Sequence, residues 1–190
     1  DYDARLYINN GAGMFSLMQG TPFETMKEAS IAFADIDGDN DLDVLVVGDD
    51  FGIADPHRAD LYTNDGNGVF TKVQGTPFEG VSQGKVAFAD IDGDNDQDAF
   101  IIGRNPNSFA KFYINDGTGS FTEMMGNSID GVVFSDIAFS DVDNDGDQDL
   151  LITGRNDTNG IISKLYINDG SGIFTEQMNT PFDRVWRSAI

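Results

Sequence analysis

Short apolar stretches bounded by polar turn residues recur along the whole chain. One of them, residues 30–34, alternates bulky and small side chains. Because successive side chains of a strand point to opposite faces, Ile31 and Phe33 would face one side of a sheet and the alanines the other. A face of bulky side chains and a face of small ones suit sheets that stack on each other. The pattern predicts a first strand here and at residues 85–89 and 136–140.

Three further strands are predicted in each unit. A continuous apolar run at residues 44–47 is typical of a strand buried on both faces, and it returns at 99–102 and 150–153. Residues 61–63 and 69–73 are the third and fourth strands, joined by the turn sequence Asn-Asp-Gly-Asn-Gly. No window shows apolar spacing of three and four over ten residues, so helices are not expected.

The same unit is repeated along the chain. The motif LYINNGAGMF at residues 6–15 returns, with changes, at 61–70, 112–121 and 165–174, which gives repeat lengths of 55, 51 and 53 residues. The motif Thr-Pro-Phe occurs at residues 21–23, 76–78 and 180–182. Repeats of about 40–50 residues with four strands are typical of β-propeller blades. The sequence therefore predicts an all-β fold built from four-stranded antiparallel blades.

We expect one β-propeller domain, or a segment of one, forming an arc of about three to four blades. Its predicted divisions are a partial blade over residues 1–26, repeats over 27–80, 81–131 and 132–183, and the start of a further blade over 184–190. Both ends of the arc would lie inside blades. The expected context is a segment of a longer protein, or a chain that completes its ring through another copy.

A nine-residue acidic loop joins the first predicted strand to the second. It occurs three times, and each copy places five aspartates at every second position. So many like charges repel each other unless a counter-ion is bound. Calcium, a hard cation that takes six to eight oxygen ligands, fits such a loop. The predicted ligands of three calcium ions are Asp35, Asp37, Asp39, Asp41, Asp43, Asp90, Asp92, Asp94, Asp96, Asp98, Asp141, Asp143, Asp145, Asp147 and Asp149.

Within each loop, positions 1, 3, 5 and 9 would supply carboxylates and position 7 its backbone carbonyl oxygen, as position 7 of an EF-hand loop does. The spacing is not that of an EF-hand, because the last acid is at position 9 and strands flank the loop. Positions 4 and 6 carry only glycine or asparagine in all three copies. These residues tolerate a positive φ best, so both positions are predicted to bend through the left-handed region.

Composition narrows the classes of partner. The formal net charge is −22, and three bound calcium ions would bring it to −16 (−22 + 6). Such a surface repels nucleic acid and anionic lipid, so neither is expected as a partner. The absence of cysteine excludes disulfides and thiolate metal sites. The apolar runs are too short for membrane insertion by a helix.

The acidic loop between a small-residue strand and an apolar strand resembles the FG-GAP/VCBS repeat of integrin-α-like calcium-binding β-propellers. The run Val-Gly-Asp-Asp-Phe-Gly at residues 47–52 resembles the part that names the repeat. The later copies keep the glycine but lose the Phe-Gly, and Gly-Ala-Pro is absent, so the resemblance is closer to bacterial VCBS-type proteins. It implies a ring of seven blades, calcium in most of them, a structural role for that calcium and an extracellular setting.

The leading functional hypothesis is a non-enzymatic module for adhesion or recognition, secreted or at the cell surface, with a protein or carbohydrate ligand. Ligand contacts are expected in the variable connections at residues 49–60, 105–110 and 156–163. Two alternatives stay open: the propeller part of a secreted polysaccharide lyase or other polysaccharide-active enzyme, and a structural subunit that assembles through open blade edges. No catalytic residue is predicted. His57, the single histidine, is expected on a surface loop, and Trp186 in the core or in packing between blades.

Overall fold

The computed structural model describes residues 4–50, 56–158 and 160–185. All regular structure in these ranges is β. The first two strands form a hairpin, β1 (Tyr7–Asn9) and β2 (Phe15–Leu17). No helix long and apolar enough to cross a membrane occurs in the described ranges.

Three four-stranded antiparallel sheets follow the hairpin. Sheet 1 comprises β3 (Lys27–Ala34), β4 (Asp43–Asp49), β5 (His57–Asn64) and β6 (Phe70–Lys72). Sheet 2 comprises β7 (Ser82–Ala89), β8 (Asp98–Arg104), β9 (Ser108–Asn115) and β10 (Phe121–Met124). Sheet 3 comprises β11 (Val133–Ser140), β12 (Asp149–Arg155), β13 (Ile161–Asn168) and β14 (Phe174–Glu176).

In each sheet the strands are neighbours in the order in which they follow one another along the chain. The predicted all-β fold of four-stranded antiparallel blades is confirmed, and the sheets do not close on themselves, as expected for an arc of a propeller. Each sheet falls inside one of the predicted repeats. The exact repeat boundaries and the number of blades in a complete ring stay predictions.

The first strand of every sheet begins three residues earlier than its apolar alternation indicates. The reason is a β-bulge at its start, seen as a register shift between Lys27 and Ser30 in sheet 1 and at the equivalent points of the other sheets. The second residue of each strand adopts a positive φ, 52° at Glu28, 52° at Gln83 and 49° at Phe134. A bulge interrupts the two-residue period, so the alternation does not extend across it.

The sheets stack with a small-residue face against a bulky face, as predicted. Ala32 and Ala34 of sheet 1 pack against sheet 2, where Val86 and Phe88 occupy the positions of Ile31 and Phe33. The same arrangement joins sheet 2 to sheet 3. The second strands lie between the first and third strands of their sheets and are almost fully buried, which confirms the prediction made from their continuous apolar runs.

The bulky face of sheet 1 is the least covered of the three. Ile31 is 55% exposed and Phe33 50% exposed. Both line an apolar cavity of about 120 Å³ together with Leu6, which precedes the β1–β2 hairpin. Residues just before the hairpin therefore cover this face only in part.

The Thr-Pro-Phe motif is explained by aromatic packing inside each sheet. Phe23 meets Tyr62 of the third strand edge to face, with ring centroids 5.1 Å apart, and Phe78 meets Tyr113 in the same way at 5.0 Å. Such edge-to-face pairs add stability beyond the area that they bury. The segments before β3 and β7 are thereby held against the third strands of sheets 1 and 2.

Candidate metal centre

Each acidic loop connects the first strand of a sheet to the second. In an antiparallel sheet the loop between the third and fourth strands lies at the same end of the strands, and the connection between the second and third strands lies at the opposite end. The acidic loops and the Asn-Asp-Gly turns therefore share one end of the stacked sheets. The described parts of the variable connections lie at the other end; residues 51–55 and 159 of the predicted ranges are outside the described residues.

The backbone of the loops bends as predicted. In the first loop φ is 76° at Gly38 and 69° at Asn40, the residues at positions 4 and 6. The values at the same positions of the second loop are 81° and 73°, and those of the third loop are 64° and 102°. Two left-handed residues in a short loop wrap the aspartates around one centre.

Three aspartates of every loop bring carboxylate oxygens within 4.8 Å of one another, close enough to share a metal ion. Positions 1, 3 and 5 do so in the first two loops, and positions 1, 3 and 9 in the third loop. The groups are Asp35, Asp37 and Asp39; Asp90, Asp92 and Asp94; and Asp141, Asp143 and Asp149.

The aspartate at position 1 organises the loop around itself. The Oδ1 atom of Asp35 accepts a hydrogen bond from the N–H of Gly38 at 2.9 Å, and Oδ2 accepts one from Asn40 at 3.0 Å. Asp90 holds the second loop in the same way, at 2.8 and 3.0 Å. One carboxylate thus fixes the two left-handed residues and remains at the centre of the oxygen cluster.

The aspartate at position 9 is buried and joins two strands. Asp43 has no exposed surface, and Asp98 and Asp149 are each 1% exposed. The Oδ2 atom of Asp43 accepts the N–H of Ile36 at 3.1 Å, and Oδ1 accepts the N–H of Asn64, at the end of β5, at 2.8 Å. Both bonds recur in the other two loops. Each position-9 side chain therefore links its acidic loop to the third strand.

The aspartate at position 7 lies against the neighbouring turn. A Cβ atom added to Gly66 would come within 2.2 Å of the Asp41 carboxylate, and one added to the matching glycines would come within 2.4 Å of Asp96 and Asp147. These side chains are outside the groups that share a metal position, as are Asp43, Asp98 and Asp145. Their predicted contributions to metal binding, including the carbonyl oxygen of position 7, stay predictions.

Burial and mutual repulsion make these carboxylates hard to ionise without a cation. Burial raises the pKa of Asp98 to about 6. Burial, and to a smaller extent the neighbouring aspartates, raises the pKa of Asp43, Asp92 and Asp143. The Oδ1 atom of Asp92 is buried and has no hydrogen-bond partner among the described residues. A bound cation would provide both the missing partner and the missing positive charge, so the residues fit a divalent metal.

Two asparagines contribute to the loops in a way that the acidic pattern did not predict. Asn115 and Asn168 end the third strands of sheets 2 and 3, and each donates from Nδ2 to a backbone carbonyl in the acidic loop of the preceding sheet, at 2.8 Å. Their recurrence at one position of the LYIN motif was the only sequence signal for this role.

The remaining sequence predictions have mixed outcomes. His57 is partly exposed at the start of β5, and its Nδ1 atom lies 2.7 Å from Oδ1 of Asp49 on the neighbouring strand. It is therefore in a paired strand instead of the surface loop that we expected. The Phe-Gly pair at residues 51–52 and Trp186 lie outside the described residues.

Comparison with known families identifies the repeat. The sequence profile of the FG-GAP-like repeat matches residues 1–46, 49–101 and 90–152. No curated protein matches the chain. The matched segments cover well over half of the sequence and include all three acidic loops, so the chain belongs to the FG-GAP-like repeat family.

Proposed function

We propose that the protein is a calcium-binding propeller module that works outside the cell in adhesion or recognition. Calcium stabilises the module, and a protein or carbohydrate ligand binds elsewhere on it. The observation that carries the calcium assignment is the threefold recurrence of carboxylate oxygens within 4.8 Å of one another.

Calcium suits these loops better than magnesium. The predicted donor set consists of carboxylate and backbone oxygens on a short loop, and calcium accepts irregular shells of six to eight such oxygens. Magnesium demands a near-ideal octahedron and releases its water reluctantly. A bound calcium ion would supply positive charge at the centre of each loop, where positions 1, 3 and 5 converge in the first two copies.

A structural role for calcium is supported by the position-9 aspartates. Each is buried and ties the acidic loop to the third strand of its sheet through two backbone N–H groups. Drawing the loop together around a cation fixes the first, second and third strands relative to one another. Extracellular calcium is millimolar, enough to fill sites of weak to moderate affinity.

A ligand surface is supported at the end of the sheets opposite the acidic loops, where the connections vary in sequence while the rest of the unit repeats. Neighbouring connections contact each other there. Asp157 accepts hydrogen bonds from the N–H and Oγ of Ser108 at 2.9 and 2.8 Å and pairs with Arg104 at 3.3 Å. These polar contacts join the connections of sheets 2 and 3. Such surface connections held by a rigid scaffold are common places for binding residues.

Titration of the metal-free protein with calcium in a calorimeter tests the calcium assignment. We expect three equivalents to bind at up to millimolar concentration, and two in the variant Asp37→Asn/Asp39→Asn. The matched variant Asp65→Asn/Asp116→Asn removes two exposed turn carboxylates and should keep all three equivalents. No binding by the unaltered chain at millimolar calcium would contradict the proposal.

A glycan array probed at millimolar calcium, with and without EDTA, tests the recognition role. We expect calcium-dependent binding that is weakened by Asp157→Ala, because that change removes the polar contacts between the connections without touching the loops. Incubation with acidic polysaccharides should yield no unsaturated product. Release of such product would instead support the lyase alternative and contradict a non-enzymatic role.

A further inference from the structure

We propose that neighbouring calcium loops are energetically coupled through Asn115 and Asn168, so that calcium at one loop raises the affinity of the next. The two asparagines act as positioning residues: they contact the loop backbone rather than the ion. This inference rests on the proposed calcium binding and goes beyond it, because three separate sites would stabilise the fold without any such coupling.

The first step is a direct bond between sheets. Nδ2 of Asn115 donates to the backbone carbonyl oxygen of Ile36 at 2.8 Å, and Nδ2 of Asn168 donates to that of Ile91, also at 2.8 Å. Ile36 and Ile91 occupy position 2 of the first and second loops, between two of the clustered aspartates. Both asparagines are almost completely buried, at 1% and 2% exposure, so water does not compete for these bonds.

The second step joins the same asparagines to their own loops. The backbone N–H of Asn115 donates to Oδ1 of Asp98 at 2.8 Å, and that of Asn168 donates to Oδ1 of Asp149 at 2.9 Å. The other oxygen of Asp98 accepts the N–H of Ile91 at 3.0 Å. Each asparagine thus connects the position-9 carboxylate of one loop to the position-2 peptide of the preceding loop.

Together these bonds form one continuous path through all three loops. It runs from the first loop to the third as Asp43, Ile36, Asn115, Asp98, Ile91, Asn168, Asp149 and Val142. Without a cation the aspartates of a loop repel each other, and with one they are drawn together. We expect the change between these two arrangements to move the position-2 peptide, whose carbonyl oxygen is hydrogen-bonded to the asparagine of the next sheet. Coupling between two sites is reciprocal, so it acts in both directions along this path.

Asn64 provides a matched control within the chain. It occupies the equivalent position in sheet 1, and its Nδ2 atom donates to the backbone of its own loop, at Leu42, at 3.2 Å. Asn115 makes the same kind of own-loop bond, to Gln97 at 3.3 Å, in addition to the bond between sheets, and its Oδ1 accepts the N–H of Gly119 in the adjoining turn at 3.2 Å. In the described part of the chain, Asn64 has no hydrogen bond to another sheet, and its buried Oδ1 has no partner. Replacing Asn64 therefore removes the own-loop bond alone.

The experiment compares calcium binding at the first loop when the second loop is intact or disabled. Asp92→Asn/Asp94→Asn disables the second loop without altering any member of the hydrogen-bond path. This double change is introduced into three backgrounds: the unaltered chain, Asn115→Ala and Asn64→Ala. Calcium alone is titrated, and the NMR amide signals of Gly38 and Gly93 report the first and second loops separately. Amide hydrogen exchange of Ile36 provides a second measurement.

We expect disabling the second loop to weaken calcium binding at the first loop about fivefold in the unaltered and Asn64→Ala backgrounds, the low end of typical coupling. Exchange of the Ile36 amide should become faster in the same two backgrounds. In Asn115→Ala neither quantity should respond to the second loop. The unaltered-chain comparison needs no asparagine variant, so it stays informative even if Asn115→Ala folds poorly.

Two results would overturn the coupling. One is an unchanged affinity at the first loop when the second is disabled in the unaltered chain. The other is a response that persists in Asn115→Ala, which would exclude Asn115 as the connection. Both differ from failure of the proposed function, in which the Gly38 and Gly93 signals of the unaltered chain would not respond to calcium at all.

Discussion

At the scale of single residues, the five aspartates of each loop have distinct roles although the sequence presents them as equals. Asp90 holds the loop backbone through two N–H groups. Asp92 and Asp94 complete the oxygen cluster. Asp96 lies against the adjacent turn, and Asp98 is buried between two strands. Some of these carboxylates therefore matter to the fold even without metal.

Asp98→Asn should destabilise the metal-free protein by about 2 kcal/mol, because the amide replaces one of the two accepting oxygens with an NH2 group and leaves one buried backbone donor unsatisfied. Asp94→Asn is the matched control. It removes one charge from an exposed, self-repelling cluster, so without metal it should be neutral or slightly stabilising, while it weakens the stabilisation by calcium. Urea unfolding in EDTA measures both. Equal losses in the two variants would contradict the separate role of position 9.

The raised pKa of Asp98, about 6 against an ordinary 3.8, predicts the pH dependence of the metal-free protein. The folded state binds this proton more tightly than the unfolded state does. Its contribution to stability is therefore complete below pH 3.8 and is lost as the pH rises through about 6. Asp43, Asp92 and Asp143 shift in the same direction.

Saturating calcium should reverse the trend, since the ion binds the ionised carboxylates and protons compete with it. Urea unfolding of metal-stripped protein between pH 4 and 7, with and without calcium, measures both slopes. The variant Asp98→Asn should have a shallower slope in the absence of metal. A metal-free protein that becomes steadily more stable from pH 4 to 7 would contradict the raised pKa.

At the scale of elements, an ion pair joins the third and fourth strands of each sheet. The acidic residue is on the third strand in sheet 1 and on the fourth strand in sheets 2 and 3. Asp60 faces Lys72 at 3.0 Å in sheet 1, whereas Lys111 faces Glu123 at 3.0 Å in sheet 2. Lys164 and Glu176 form the same pair in sheet 3 at 2.8 Å. The repeats thus keep opposite charges across these strands while the individual residues change.

Lys72→Glu should destabilise the protein by about 1 kcal/mol or more, because two carboxylates would then face each other across the strands. Adding Asp60→Lys should recover most of the loss, since the double variant reproduces the order of charges found in sheet 2. Urea unfolding at low and at high salt measures the effect. A double variant no more stable than Lys72→Glu would show that the pair in sheet 1 depends on its surroundings.

Arg58 and Glu24 are the surroundings that could produce that outcome. Arg58 pairs with Asp60 at 2.8 Å, and it also forms an ion pair with Glu24. Hydrogen bonds from Arg58 and Lys72 lower the pKa of Glu24 to about 2. Sheet 1 therefore carries an additional cation on this side, and the double variant tests whether that cation tolerates the exchange.

At the scale of the whole molecule, the fold is a stack in which each sheet covers the bulky face of the next. The equivalents of Phe33 show the effect. Phe88 packs against sheet 1 and beside Phe121, and Phe139 packs against sheet 2 and beside Phe100. Phe33 itself is 50% exposed. The contribution of the same residue type should therefore depend on its place in the stack.

Phe88→Ala should cost about 2–3 kcal/mol, somewhat below the usual range for a fully buried phenylalanine, because Phe88 is only partly buried. Phe33→Ala removes the same atoms from a more exposed position and should cost less than 1 kcal/mol, about what an exposed site implies. Urea unfolding of the two variants in saturating calcium measures the difference. Equal costs would contradict the stacking order of the sheets.

Much of this architecture could be predicted from the sequence because it repeats. The alternation in residues 30–34, the continuous run at 44–47 and the Gly/Asn positions of the loops each occur three times, and the structure confirms all of these patterns. The bulge at Glu28 could not be predicted, since it breaks the period from which strands are inferred. The bond from Asn115 to Ile36 joins residues 79 positions apart, and only tertiary structure brings them together.

A single unfolding experiment decides whether calcium holds this fold together. Metal-stripped protein is melted in EDTA and in increasing calcium up to millimolar concentration, with magnesium as the comparison ion. A ligand that binds only the native state must stabilise it, by about 2.7 kcal/mol at a hundredfold excess over its dissociation constant. We predict a melting temperature that rises with calcium, rises much less with magnesium, and rises less in Asp37→Asn/Asp39→Asn. A melting temperature that is the same in EDTA and in millimolar calcium would contradict the claim that calcium stabilises this fold.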